Sequence, residues 1–574
     1  MAKKKSPRKY YNQKGRRKRR RRINIKAVLL ALFMLIVIAA VIVCAVVFIP
    51  KLFSLKTKTY FIAGTEADIS LYYYDDYDER LLASSDSVTR GTEVESSGRT
   101  YEQNGKTYVL IKYDGEEYYV AESCLVTESD QIVQETEKWV RTSVTVYTSN
   151  EDSQIESFIE KGSHVNITGY DELDENGAAN MYEIEYNGIT GWVYAKYLVE
   201  TEDEALEEYE TVYAVHEGRE YSKELYGGSV DDLDWYPYES VSFEDNELLD
   251  EDASVMYLNA SALADIDSYL EIAVSNGVNG VVVDIKDGRL TTTFDIAAEL
   301  SPTSNSHAYM DEETFAAAIE KIKEAGLYII ARIVAFDDEY YAEDNPDDCI
   351  ETTVTSTVWV SAFSRNVWYY NVALAEEVIE KYGVNEIMFD YVRFPDSAYS
   401  MSLDEDTDFK NTYGESKAQA LQNFLFYACD RIHESGVYVS VTLEYETVGK
   451  YVMSYGQYWG AFSNIADVVC PFALVDYIGS ASSQWEDPYT TIYDWAERAA
   501  ARQSEVETPA VMRAWVTGYD VPYWSASVDC DAEYVENQIQ ALYDQGLDGG
   551  FIIYNEEANL SAYEQICPAW NMSY

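Results

Sequence analysis

Hydrophobic and polar positions divide the chain into distinct regimes. Ala27 to Ile49 is an uncharged apolar run of 23 residues, and roughly 20 helical residues cross a hydrocarbon core. It predicts one transmembrane helix. From 59 to 200 the pattern alternates with period two around Asp114-Gly115 and Asn187-Gly188, the dipeptides that most strongly signal a two-residue hairpin. Two all-β modules follow, at 59–128 and 138–200. Residues 201–250 are rich in Glu, Asp and Tyr without sustained periodicity, the pattern of a solvated acidic linker. Within it, Trp235-Tyr236-Pro237-Tyr238 offers a cluster that can dock on the next domain.

From Val255 onward, short β-branched runs alternate with helical stretches. Strands are expected at 255–259, 280–285, 328–335, 386–394, 438–445, 467–474, 510–517 and 549–555. Helices are expected at Asp311–Ala325, Trp368–Tyr382, Gly414–Ser435 and Ala532–Gln545. Eight strands separated by crossovers fit an α/β architecture, a (β/α)8 TIM barrel over 251–574. A doubly wound open sheet is the alternative, but no glycine-rich phosphate loop follows the first strand.

Charge changes the picture at the N-terminus. The first 26 residues hold 14 of the 43 Lys and Arg, and no Asp or Glu precedes residue 66. Residues 1–26 therefore read as a basic cytosolic tail, and the rest of the chain is expected outside the cytoplasm of the cell membrane. A cleaved signal peptide is the competing reading, but Val47-Phe48-Ile49-Pro50-Lys51 offers no small-residue cleavage site. Beyond the tail, 29 Lys and Arg face 101 Asp and Glu, a net −72. Such a surface repels nucleic acid and anionic polymers. Next to an apolar span, the Arg run sets topology and meets anionic headgroups.

Cysteine and histidine narrow the chemistry. Six cysteines follow the span, without CxxC pairs or metal-ligand spacing. Cys429 and Cys470 fall in apolar patterns and favour buried thiols, while the sequence does not decide whether a disulfide forms. His164, His216, His307 and His433 are widely spaced and none ends a strand. That argues against a Ser-His-Asp hydrolase and a histidine-rich zinc site, and neither cofactor nor metal is expected.

Side chains two apart on a strand share a face. Val282, Asp284 and Lys286 do so on the second expected strand, Ile330, Arg332 and Val334 on the third, Met388 and Asp390 on the fourth, and Ser440, Thr442 and Glu444 on the fifth. Turning these faces inward places Asp284, Arg332, Asp390 and Glu444 around one cavity, at the end of a barrel that carries active sites. Glycosidic cleavage needs one protonated and one ionised carboxyl group. Asp390, Asp284 and Glu444 are the catalytic candidates, with Lys286, Arg332, Tyr391, Arg393 and Trp515 as substrate-binding candidates. Each has a plainer reading. Asp390 can be a structural ion pair with Arg332 or Arg393, Asp284 can neutralise Lys286, and Trp515 can be core. Glu446, Asp338, Asp520, Glu556 and Glu557 rival Glu444.

The run Glu386-Ile-Met-Phe-Asp-Tyr-Val-Arg-Phe-Pro395 resembles the fourth-strand signature of a bacterial family of glycoside hydrolase-like (β/α)8 barrels. Asn279 to Asp287, Gly326 to Asp338, Trp359-Val360 and Trp368 to Glu376 resemble further parts of it. The resemblance covers about 250–565 and implies that Asp284, Lys286, Arg332, Asp390 and Arg393 are site residues. Departures occur: Thr442 stands where relatives carry an aspartate, Asp467 to Leu474 lacks their Tyr-Pro-Ser-His-Tyr, and Ala514 and Thr517 replace a proline and a glutamine. The module at 138–200, with Lys161-Gly162 and Gly191-Trp192-Val193, resembles bacterial SH3-like repeats, and 59–128 is a degenerate copy. That resemblance implies attachment to wall peptides or glycans; a spacer role is the alternative, favoured for the first module. The expectation is a membrane-anchored glycoside hydrolase-like protein acting on a polysaccharide or peptidoglycan-type glycan. A non-catalytic glycan-binding or wall-scaffolding protein is the alternative.

Overall fold

The computed structural model describes residues 34, 36–38, 57–209, 227–521 and 528–573. The expected basic tail and nearly all of the expected transmembrane run lie outside them. Among the described residues, no helix is long and apolar enough to cross a membrane. The chain forms two compact units, one ending at Gln134 but including Leu173–Ala178, the other comprising Glu135–Glu172 and Ala179–Tyr574.

The first unit is a seven-stranded antiparallel sheet, from Lys58–Ile62 to Leu125–Val126. Its period-two pattern buries Ile62, Leu71, Val88, Val94, Ile111 and Val120 on one face. The second unit opens with another seven-stranded sheet, from Glu137–Val140 to Leu198–Val199. Counted along the chain, the strands of each sheet lie in the same spatial order, 3-2-6-5-4-1-7. The hairpins expected from sequence are present in both: Asp114 and Gly115 have φ of 47° and 86°, Asn187 and Gly188 of 50° and 85°. Positive φ at both central residues makes a type I′ turn, whose twist matches that of the flanking strands.

The barrel follows. Its eight parallel strands are β1 (Ser254–Leu258), β2 (Gly280–Asp287), β3 (Tyr328–Val334), β4 (Glu386–Asp390), β5 (Tyr438–Leu443), β6 (Val468–Ala473), β7 (Ala514–Thr517) and β8 (Phe551–Tyr554). Each pairs with the next, and β1 pairs with both β2 and β8, so the sheet closes. The outer layer contains α1 (Ile266–Ser275), α2 (Glu312–Glu324), α3 (Arg365–Tyr382), α4 (Lys417–His433), α5 (Trp459–Ser463), α6 (Pro488–Gln503), α7 (Ala532–Tyr543) and α8 (Leu560–Ile566). Capping sets several starts. Asp311 accepts from the Thr314 N–H ahead of α2, and Ser416 forms a reciprocal capping box with Gln419 ahead of α4. Val255, Tyr257, Val282, Ile330, Met388, Val468, Cys470, Trp515 and Ile552 fill the barrel interior.

The second sheet packs on α3 and α4. Tyr197 donates to Asp430 at 2.8 Å, Tyr194 to Glu434 at 2.6 Å, and Tyr427 to the Ser153 carbonyl at 2.7 Å. The expected solvated linker is, over 227–250, a packed strap. Gln422 clasps the backbone of Asp234, Trp235 is buried, and the Asn246 amide donates to the carbonyls of Asn385 and Gly436, each at 2.9 Å. Irregular backbone satisfied by side chains leaves no periodicity to read.

Two local departures matter for the site. β4 stops at Asp390, four residues before the expected end, because Tyr391 takes φ of +50°, a left-handed conformation that breaks the ladder. On β2 the register with β3 runs Asp284 to Arg332 and then Lys286 to Ile333. One extra residue is accommodated as a bulge, and the side chains beyond it change faces.

Candidate active site

The strand faces chosen from parity do point inward, and their last layer is polar. Arg332 on β3 is its centre. Its Nη1 donates to Asp284 Oδ1 at 2.8 Å, and its Nε and Nη2 reach Asp390 Oδ2 at 2.8 and 2.6 Å. Tyr257 on β1 donates to the other oxygen of Asp284 at 2.5 Å, while the Thr442 hydroxyl on β5 and the Tyr391 N–H donate to Asp390 Oδ1, the latter at 2.7 Å. A continuous hydrogen-bonded chain thus crosses five adjacent strands in the order Tyr257, Asp284, Arg332, Asp390, Thr442. Asp284 and Asp390 are 2% and 1% exposed, and their partners Tyr257, Arg332 and Thr442 are buried with them. Burial pushes the Asp284 carboxyl up to about 6 against the opposing pull of Arg332.

Glu444 lies one residue beyond the end of β5. It pairs with Arg393 at 3.1 Å and retains 19% of its side-chain exposure. Burial pushes its carboxyl up to about 7; Arg393 opposes the shift and the Asp390 charge adds to it. Arg393 also reaches Asp396 at 2.8 Å and lies over the rings of Tyr391 and Tyr455, at 5.3 and 5.2 Å. The strained Tyr391 holds its own ring in the wall of a cleft of about 720 Å³, which Asp287, Asp337, Glu339, Glu343 and Val358 also line. Residues in rare backbone conformations concentrate at functional sites, and the left-handed region costs about 1–3 kcal/mol. Here that cost turns the chain so that Asp390 keeps the Tyr391 N–H while the ring faces the cleft.

Two expected binding residues are elsewhere. The β2 bulge sends Lys286 out of the mouth, where it pairs with Asp338 at 2.7 Å and donates to Asn371 on α3 at 2.8 Å. It ties β2 to the helical layer instead of meeting a ligand. Trp515 is fully buried, stacked on Phe472 at 5.7 Å and edge-on to Tyr257 and Tyr554. It is the barrel's aromatic plug, and the half-buried Tyr554 is the neighbouring ring nearer the surface. Arg513, the residue just before β7, is enclosed at the opposite end and pairs with Glu386 at 2.9 Å. Among the rivals of Glu444, Asp338 is committed to Lys286 and the start of a short helix, and Asp520 caps the Cys530 N–H.

Sequence reasoning passed over Tyr257, Asp287 and Asp337. Tyr257 shares the inward face of Val255, yet an aromatic in a buried strand also reads as core. Asp287, whose carboxylate is 3.5 Å from Arg332, belongs to the site only once the bulge is known.

Residues 255–560 match the family described as "Putative glycosyl hydrolase domain". This chain belongs to that family. None of the curated proteins matches the chain. Among solved structures, the chain is similar to a hypothetical protein of Ruminiclostridium thermocellum (24% identity, 32% of this chain and 96% of that one, TM-score 0.27). It is also similar to the PgaB (BpsB) glycoside hydrolase domain of Bordetella bronchiseptica (14%, 55% and 98%, 0.40) and to the spore cortex-lytic enzyme SleL of Bacillus megaterium (12%, 55% and 72%, 0.34).

Proposed function

We propose that the protein is a membrane-anchored, extracytoplasmic glycoside hydrolase acting on cell-envelope or environmental polysaccharide. The observation that carries this reading is the contrast between two carboxyl groups at the strand ends. Glu444, partly open and pushed up to about 7, holds a proton near neutrality and delivers it to the leaving glycosidic oxygen. Asp390 accepts from Arg332, Thr442 and the Tyr391 N–H through both oxygens. It acts through its field on the developing oxocarbenium ion and not as a covalent nucleophile. Water then attacks, and Asp287, half-exposed on the cleft wall, is the acceptor for its proton. Tyr391 and Tyr554 offer ring faces with polar tips to sugar. The two N-terminal sheets, read as SH3-like modules, hold the barrel off the membrane, the second also serving attachment to the wall.

A second reading rests on the occupied oxygens of Asp284 and Asp390 and on Thr442, which supplies a hydroxyl where relatives carry a carboxylate. They suit a barrel that binds glycan without cleaving it. One experiment separates the two. Full-length protein in detergent is assayed for reducing ends on a broad glycan panel, beside Asp390→Asn with its fold checked by circular dichroism. Turnover by the wild type that falls at least a hundredfold in the variant, as expected for lost electrostatic stabilisation, supports catalysis. Glycan binding without turnover establishes the second reading.

A further inference from the structure

A second cavity, of about 640 Å³, lies behind the loop that follows β4, lined by Phe363, Ser402, Asp404, Phe409, Glu415 and Lys417 among others. Its one buried cation is Lys417, the first residue of α4. Lys417 is 6% exposed, and among the described residues its only hydrogen-bond partner is the Ser402 hydroxyl, at 2.7 Å. The rings of Phe409 and Phe394 lie 4.8 and 5.8 Å from its nitrogen.

What surrounds Lys417 is more telling than the lysine alone. The carboxylates near it are engaged elsewhere: Glu415 with Arg365 at 2.7 Å and Asn423, Asp408 with Lys410 at 3.2 Å, Asp404 with the Thr407 hydroxyl at 2.9 Å. In a chain with 101 acidic residues against 43 basic ones, a buried lysine without a carboxylate partner is the exception. Burying an ammonium without a counter-ion costs stability, and two aromatic faces offset only part of that. The arrangement leaves an amine facing a cavity, with a hydroxyl beside it and apolar rings around it. That is the environment of a nucleophilic lysine.

We propose that Lys417 is an imine-forming lysine whose cavity takes small aldehydes, including the open-chain form of a reducing sugar. The neutral amine attacks the carbonyl carbon, the carbonyl oxygen gains a proton to give a carbinolamine, and loss of water leaves the C=N bond. The proton gained by the oxygen is the one the attacking nitrogen gives up, and Ser402, whose own hydroxyl donates to the Ala398 carbonyl at 2.9 Å, orients the amine by accepting from it. The site is separate from Glu444 and Asp390, so it does not depend on their role.

The test uses the full-length protein, glycolaldehyde and cyanoborohydride, which reduces the C=N bond to a stable secondary amine that peptide mass spectrometry locates. Burial brings Lys417 down to about 8 from 10.5. At pH 7.5 its neutral fraction should exceed that of an exposed lysine on the order of a hundredfold. Modification at Lys417 at least tenfold faster than at exposed lysines, with a rate that levels off above about pH 8, is the expected result. Labelling there no faster than at exposed lysines, or still climbing toward pH 10, would overturn the proposal. Lys417→Arg keeps the charge and should lose the fast-labelling site while the rest of the labelling pattern is unchanged. An unchanged total of fast labelling in that variant would also overturn it.

Discussion

Among the strand-end residues, two acids that burial makes reluctant to ionise dominate, and they tie function to stability with one sign. Asp284 and Glu444 bind protons more tightly in the folded chain than in the unfolded one, at about 6 and about 7. Their contribution to stability is therefore fully present below the unfolded carboxylate range of about pH 4, and is lost as pH rises through 6 and 7. Denaturant unfolding between pH 4 and 8 should show stability falling across that window. Glu444→Gln should flatten the upper part of the fall; an unchanged slope would mean that Glu444 is not buried as described. Glu444 itself was readable from sequence by parity on β5, and so were Asp284, Arg332 and Asp390. Tyr257 was not, since nothing in Ser254–Leu258 distinguishes a hydrogen-bonding phenol from a packed ring.

At the scale of elements, period-two and helical patterns identified all eight barrel strands and four crossover helices, α2, α3, α4 and α7, because each buries a continuous apolar face. Irregularities carry no such signal. The β2 bulge moved Lys286 to the helical layer, and the left-handed turn at Tyr391 ended β4 early. Both lie within otherwise regular β-branched sequence. The turn makes a clean prediction. Tyr391→Gly and Tyr391→Ala both remove the ring, but only glycine adopts φ of +50° without steric cost. The glycine variant should therefore be more stable than the alanine variant by about 1 kcal/mol. Equal stability would show that the conformation relaxes once the ring is gone. The docking of the second sheet is similarly testable. Tyr197→Phe leaves Asp430 with Lys196 but removes one buried hydrogen bond, and should cost about 1 kcal/mol without altering the isolated spectra of either strand or helix.

For the whole molecule, charge and anchoring set the expectations. With 14 cationic residues before an apolar run of 23, the proposed orientation puts the N-terminus in the cytosol. Protease added to intact cells or wall-stripped protoplasts should digest the barrel and spare a small basic fragment. A protected full-length chain would reverse that orientation. The six cysteines from Cys124 to Cys567 are all free thiols, so reductant should leave the melting temperature unchanged. The central claim is that the barrel mouth cleaves glycans with Glu444 as the acid, and the pH dependence of kcat/KM tests it most directly. The wild-type rate should fall on the alkaline side with an inflection near 7 as Glu444 loses its proton. Glu444→Gln should lower kcat/KM at least a hundredfold and abolish that inflection. Turnover that keeps both its rate and its alkaline limb in Glu444→Gln would contradict the account.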